Sequence, residues 1–232
     1  MKPMCGRFAN GLSAGEILNQ TGLRPPIDWK PHYNVAPSQS VLALRATPRR
    51  ALELATLKWG LIPAWSKDAT MGRRLVMARA DTIEAKPAFV ESFRERRCAL
   101  LSNRFYEWQR GATGSTPFYF RFVKPLYLGA IWDRWRKYGN DVSTCAVITT
   151  DANAAVAPVH ERMPVLLNHE QLPEWLNPAT ELPMVRAMLR PPPPGLVRVF
   201  AADKAVNNPA NDSPALLGEY AAEARVFGRV LA

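Results

Sequence analysis

Three short segments of this 232-residue chain carry side chains able to do chemistry. Met4-Cys5-Gly6-Arg7-Phe8 sets a thiol beside a glycine that admits close approach of a substrate, and beside an arginine whose charge favours the thiolate. Phe105-Tyr106-Glu107-Trp108 places one carboxylate among three aromatic rings; on a strand, desolvation would raise its pKa toward general acid–base work. Val159-His160-Glu161-Arg162-Met163-Pro164 holds one of three histidines, in a turn just ahead of an expected strand. Each has a plainer reading: a small buried thiol, an edge glutamate facing water, a turn histidine in a local hydrogen bond. His32 and His169 take that plainer reading.

The elements that must position these groups follow from the hydrophobic pattern. Residues 40–46 and 51–59 alternate or are leucine-rich around Pro48-Arg49-Arg50, which predicts a hairpin. Further strands are expected over 97–101, 105–109, 118–122, 127–132, 144–149 and 164–167. Ser13-Ala14-Gly15-Glu16 has the form of a capping box opening a helix that ends near Gly22. Helices are also expected over 87–95, 169–176 and 181–189, with Pro191-Pro192-Pro193-Pro194 a stiff connector between the last of them and a strand. This order is not alternating βαβ, so the expected class is α+β: a curved, mostly antiparallel sheet or open barrel core with peripheral helices.

Composition narrows the function. With 47% hydrophobic residues the chain can bury a core as one domain, and no apolar run reaches the roughly 18 residues of a membrane span. A cytoplasmic protein, nucleoid-associated when on DNA, is expected. Cys5, Cys98 and Cys145 lack metal-ligand spacing and are odd in number, so reduced thiols, with no metal site or disulfide framework, are the simpler expectation. Lys and Arg outnumber Asp and Glu by 30 to 20, a net charge of +10 that suits a polyanionic partner, nucleic acid first.

In chain order the chemistry-bearing segments join Tyr33-Asn34-Val35-Ala36-Pro37, Trp59-Gly60-Leu61-Ile62-Pro63-Ala64-Trp65, Ala78-Arg79-Ala80-Asp81-Thr82 and Val206-Asn207-Asn208. The ordered set resembles the SRAP family, the SOS-response-associated peptidase-like proteins that cover abasic sites in single-stranded DNA, from Cys5 to about Leu216. The resemblance implies a cysteine that, as first residue, captures the open-chain aldehyde of an abasic deoxyribose with its amine and thiol as a thiazolidine. An α-amine of pKa about 8 is far more often neutral than a lysine at about 10.4, so imine formation is reasonable. It further implies Glu107 as proton shuttle and His160 as an aid to sugar opening and reversal. Arg7, Arg79 and Arg162 would lie near phosphates, Asn34 and Pro37 would touch the strand, and Trp65 and Trp108 would stack on bases unless they are core residues. The partner implied is single-stranded DNA with abasic sites, bound by a monomer with no cofactor, no metal and no membrane.

Three features depart from that pattern. Met1-Lys2-Pro3-Met4 precedes Cys5, so the leader of residues 1–4 is expected to be absent or removed, with Met4 the expected start and residues 5–232 a single domain. Met77 stands where the family usually has asparagine, and Asn103-Arg104 replaces a smaller pair before the aromatic-Glu-Trp segment. The crosslinking protein would also carry autopeptidase and lyase-like activity, and two other functions compete: a cysteine peptidase, restricted in one version to its own leader, and a non-catalytic binder of single-stranded DNA.

Overall fold

The computed structural model describes residues 6–47, 49–112 and 114–216, with the backbone at 217, 225–226 and 229–230. In chain order the elements are β1 (Phe8–Asn10), α1 (Ala14–Thr21), β2 (His32–Val35), β3 (Ser40–Ala46), β4 (Leu52–Trp59), β5 (Met77–Arg79), α2 (Val90–Glu95), β6 (Arg97–Gly111), β7 (Gly114–Lys137), β8 (Asn140–Asp151), β9 (Arg162–Pro164), β10 (Leu166–Leu167), α3 (Leu172–Leu176), α4 (Leu182–Ala187) and β11 (Val197–Ala201). These eleven strands form one sheet, a separate antiparallel pair joins β12 (Arg225–Val226) and β13 (Arg229–Val230), and the class is α+β in a single domain. Most pairs are antiparallel, while β4 and β5 run parallel to β8. Five strands close on themselves: β6 pairs β7, β7 pairs β8, β8 meets β4, β4 pairs β3, and β3 returns to β6.

Side-chain alternation splits the sheet into two apolar faces. Ala43, Leu57, Trp59, Leu100, Leu128 and Val147 share one core with the turn residues Val156 and Val159. Their neighbours Leu42, Leu44, Ala99, Leu101, Ile131 and Ile148 face the other way, onto Ile17 of α1, Phe93 of α2, Trp175 of α3 and Val185 of α4. Cys98 and Cys145 lie in the first core as free thiols, and burial pushes both well above the usual thiol range. No group of three or more metal-ligating side chains occurs among the described residues, and none of their helices is long and apolar enough to cross a membrane.

Local sequence rules account for much of this. The Ser13 hydroxyl accepts from Glu16 N–H while the Glu16 carboxylate accepts from Ser13 N–H, and Gly22 ends α1 in the left-handed region at φ 72°. The hairpin around residues 47–51 forms as expected, and the proline run leads from α4 into β11. Strand lengths differ from expectation. Residues 97–101 and 105–109 are one strand, β6, because the polar Ser102-Asn103-Arg104 step is absorbed as a bulge. The Ser102 hydroxyl, buried there, bonds the carbonyls of Ala9 and Arg104 at 2.9 Å each. Residues 118–122 and 127–132 likewise merge into β7, which passes through the exposed Val123-Lys124-Pro125 without ending. β1, β2 and β5 were not expected from the pattern: at three or four residues they are defined by their partners and not by any period of their own, whereas β11 is the strand expected after the proline run. Helix α2 begins at Val90, three residues later than Pro87, and residues 169–171 form a 3-10 turn before α3.

Candidate functional site

The chain that follows Cys5 enters along β6. Tyr106 N–H donates to the Arg7 carbonyl at 3.0 Å, Phe8 pairs with Phe105, and β2 flanks β1 on its other side with Val35 opposite Phe8. Cys5 and the leader lie outside the described residues. Arg7 is half-buried and its guanidinium is held by neutral acceptors: Nη1 donates to Asn34 Oδ1 at 2.6 Å and to the Val206 carbonyl at 2.7 Å. The same guanidinium sits 5.7 Å from the Trp108 ring centre, and no carboxylate of the described residues pairs with it. Burial lowers its pKa from the ordinary arginine value.

Asn34 is buried and serves as a clasp. Its Nδ2 donates to the carbonyls of Val206, Asn208 and Asn211 at 3.2, 3.1 and 2.8 Å, which ties residues 206–211 to β2. Asp212 completes the tie by accepting from Asn34 N–H at 3.1 Å and pairing with His32 Nδ1 at 2.8 Å. Trp108 donates from Nε1 to Asn207 Oδ1 at 2.7 Å and packs half-buried against the small core around Tyr106, Tyr119 and Val206. Both readings of Trp108, stacking surface and core residue, therefore keep a structural foothold.

Glu107 is 3% exposed and shares a strand face with Phe105 and Gln109, while Trp108 points to the opposite face. Phe105 belongs to the core that contains Val156 and Val159, and Gln109 Nε2 donates to the Pro158 carbonyl at 3.0 Å. The turn of residues 153–160 thus covers the Glu107 face. His160 ends this turn, its N–H donating to the Val156 carbonyl at 3.0 Å. Its Nδ1 lies 3.0 Å from the Arg162 N–H and 3.2 Å from the Arg162 carbonyl, so the backbone of Arg162 fixes the ring on that side and leaves Nε2 turned away from it. Asn153 holds the turn: Oδ1 accepts from Ala155 and Val156 N–H, and Nδ2 donates to the Pro192 carbonyl at 3.0 Å in the proline run.

Arg162, on β9, is 3% exposed and engages Asp151 Oδ1 at 2.5 Å and the Thr149 carbonyl at 2.7 Å. Arg79, on β5 beside β8, is exposed and grips Asp81 through two bonds of 3.1 and 2.7 Å. That pairing holds the Asp81 carboxyl below its usual range. Pro37 lies half-buried in the turn after β2, and Trp65 stands 52% exposed, its carbonyl accepting from Lys137 Nζ at 3.0 Å. Arg7, Asn34 and Trp108 therefore meet through residues 206–208, Glu107 lies on the opposite face of β6 beneath the turn that ends at His160, Arg79 and Arg162 form a neighbouring acid-bound pair, and Trp65 is tethered to the end of β7.

Comparison with known proteins fits this arrangement. The family model described as SOS response associated peptidase (SRAP) matches residues 4–209. The chain belongs to the SRAP family. It is similar to abasic site processing protein YoaM of Bacillus subtilis (strain 168), 34% identical over 92% of this chain and 97% of that one, and to YoqW of the same organism, 33% identical over 94% and 100%. Abasic site processing protein HMCES of Gallus gallus is 28% identical over 92% of this chain and 77% of its own length. A crystal structure of a protein from Bacteroides thetaiotaomicron superposes with a TM-score of 0.82 at 23% identity, covering 92% of this chain and 99% of that one, a likeness of fold.

In this SRAP chain several site-building residues carry no chemical motif. Asp212, Gln109 and Asn153 were not singled out from the sequence. Only Asn153 had a readable signal, an Asn two and three residues ahead of the N–H groups it accepts from. Met77 is half-buried against the inner core and pairs with Val147, so the position serves packing. Asn103 accepts from Gly11 N–H at 3.2 Å, and Arg104 is buried 5.3 Å from the Tyr119 ring centre, which gives that pair a role at the bulge.

Proposed function

We propose that this protein captures abasic sites in single-stranded DNA through Cys5 once it is the first residue. The amine nitrogen adds to the aldehyde carbon of the opened sugar, water leaves to form an imine, and the thiol sulfur closes on the same carbon as its proton passes to the ring nitrogen. Glu107 carries protons in imine formation and closure, and His160 protonates the sugar oxygen in opening and takes the proton back in reversal. Arg7 and Arg79 bias the rim toward phosphate while buried Arg162 braces the strand end beside it, with Asn34 and Pro37 shaping the wall beside the strand; Trp65 and Trp108 offer faces for bases. The observation that carries this reading is adjacency along β6: buried Glu107 on the face covered by the turn that ends at His160, and the chain that follows Cys5 hydrogen-bonded to the same strand at Tyr106. Relatives named abasic site processing proteins support the substrate, and the peptidase in the family description is accounted for by removal of the leader.

The test is a denaturation-resistant complex with abasic single-stranded DNA, abolished by Cys5→Ala and slowed roughly 100-fold by Glu107→Gln. Intact mass of the native protein should begin at Cys5. A Cys5→Ala protein that still crosslinks, or a crosslinking chain that retains Met1, would overturn the mechanism.

A further inference from the structure

The turn after β2, the end of β4 and the 3-10 segment Ala69–Arg73 enclose a cavity of ≈ 290 Å³, lined by Ser38, Lys58, Thr70 and Arg73 over the backbone of Gly60 and Gly72. Its floor is the closest backbone approach in the neighbourhood. A Cβ on Gly60, at φ 131°, would come within 2.4 Å of the Gly72 carbonyl oxygen. One wall is Ser38, a non-glycine residue held in the left-handed region at φ 75° while its N–H donates to the Trp59 carbonyl at 2.7 Å. Strain of this kind persists where surrounding contacts over-determine it, and it clusters at binding sites. Two cations stand on the lining: exposed Lys58 and Arg73 have no ion pair among the described residues, and Arg73 lies near enough to Asp68 to help lower that carboxyl. The nearby Asp68 carboxylate is occupied by the Thr70 N–H and hydroxyl.

We propose that this cavity is a second phosphate subsite, in which Lys58 and Arg73 hold a backbone phosphate of the DNA strand beyond the lesion. Its place in the chain favours a strand phosphate over a small free anion: the lining residue Ser38 directly follows Pro37, and Ile62 on the cavity wall precedes Trp65 by three residues, so the cavity adjoins two residues proposed to touch the strand. The inference rests on the proposed function but is read without the covalent step.

The experiment measures equilibrium binding of the full chain and its Lys58→Ala/Arg73→Ala variant to an intact single strand of about 20 nucleotides across a salt series. The expected result is a roughly tenfold loss of affinity and a salt slope reduced by about 0.7 for each cation removed. Crosslinking to an abasic oligonucleotide of about three nucleotides should keep its wild-type rate. Ser38→Gly, which relieves the strained backbone and removes the hydroxyl, should raise the melting temperature while weakening strand binding. An unchanged affinity and slope overturns the proposal. So does an equal loss on the short oligonucleotide, which would move both cations to the lesion. Inorganic phosphate that binds the wild type and not the double variant, with strand binding unaltered, would assign the cavity to a small phosphate compound instead. Failure of all crosslinking with the salt-slope difference intact would sink the covalent reading alone.

Discussion

Arg7 and Arg162 are both arginines of the proposed site held in place by several hydrogen bonds, yet their surroundings treat the charge oppositely. Arg7 is fixed by an amide oxygen, a carbonyl and an indole face, none of which cancels its charge. Arg162 is fixed by the Asp151 carboxylate and the Thr149 carbonyl, with Asp81 Oδ1 3.9 Å away. The first is a cation left positive toward an incoming anion; the second is largely neutralised and holds the end of β8 to β9, which carries the His160 turn. Arg79 stands between them in kind, bound bidentately to Asp81 but exposed, so a phosphate can exchange with its carboxylate.

The largest expected effect tests the structural half of this contrast. Arg162→Ala removes charge-assisted bonds from a buried position and should lower stability by about 2 to 3 kcal/mol in urea unfolding. A variant as stable as wild type but unable to bind DNA would erase the distinction. Arg7→Gln comes next: it should unfold near the wild-type midpoint, bind single strands roughly tenfold more weakly, and lose about 0.7 from the salt slope. Were its slope unchanged, Arg7 would be a clasp for residues 206–211 and nothing more. Asp81→Asn should have a smaller effect of opposite sign, tightening DNA binding roughly two- to threefold as Arg79 is released, within the value of an exposed ion pair.

The smallest effect is in pH. Because Arg79 depresses the Asp81 carboxyl in the folded protein, the pair's contribution is fully present above the unfolded value of about 3.9 and is lost as pH falls through the depressed one. Between pH 5 and 8 the Arg79–Asp81 pair should therefore add no slope to stability, and Asp81→Asn should flatten only the acid limb of the melting profile. A difference between the two proteins centred near neutral pH would contradict this assignment.

How much of this the sequence discloses depends on the range of the interaction. The Ser13 box and the Gly22 stop are decided within four residues, and the sequence predicts them at their true positions. Strands β3 and β4, leucine-rich or alternating over seven and eight residues, are equally legible. Ser102-Asn103-Arg104 reads as a break because a bulge stabilised by Ala9, some 93 residues away in sequence, leaves no local pattern. Met77-Ala78-Arg79 is a strand solely because β8 lies beside it.

By itself, the sequence determined which groups can do chemistry: a cysteine followed by glycine and arginine, a glutamate among aromatic rings and a histidine before a strand, each a matter of residue type within a few positions. It also determined the two-faced sheet, since alternation is a property of the chain. Tertiary structure alone decided which arginine keeps its charge. The Arg7 bond to Val206 spans 199 residues, and the acid that meets Arg162 arrives on an adjacent strand; burial and pairing over such distances depend on how the sheet closes, for which no short stretch of sequence holds the signal.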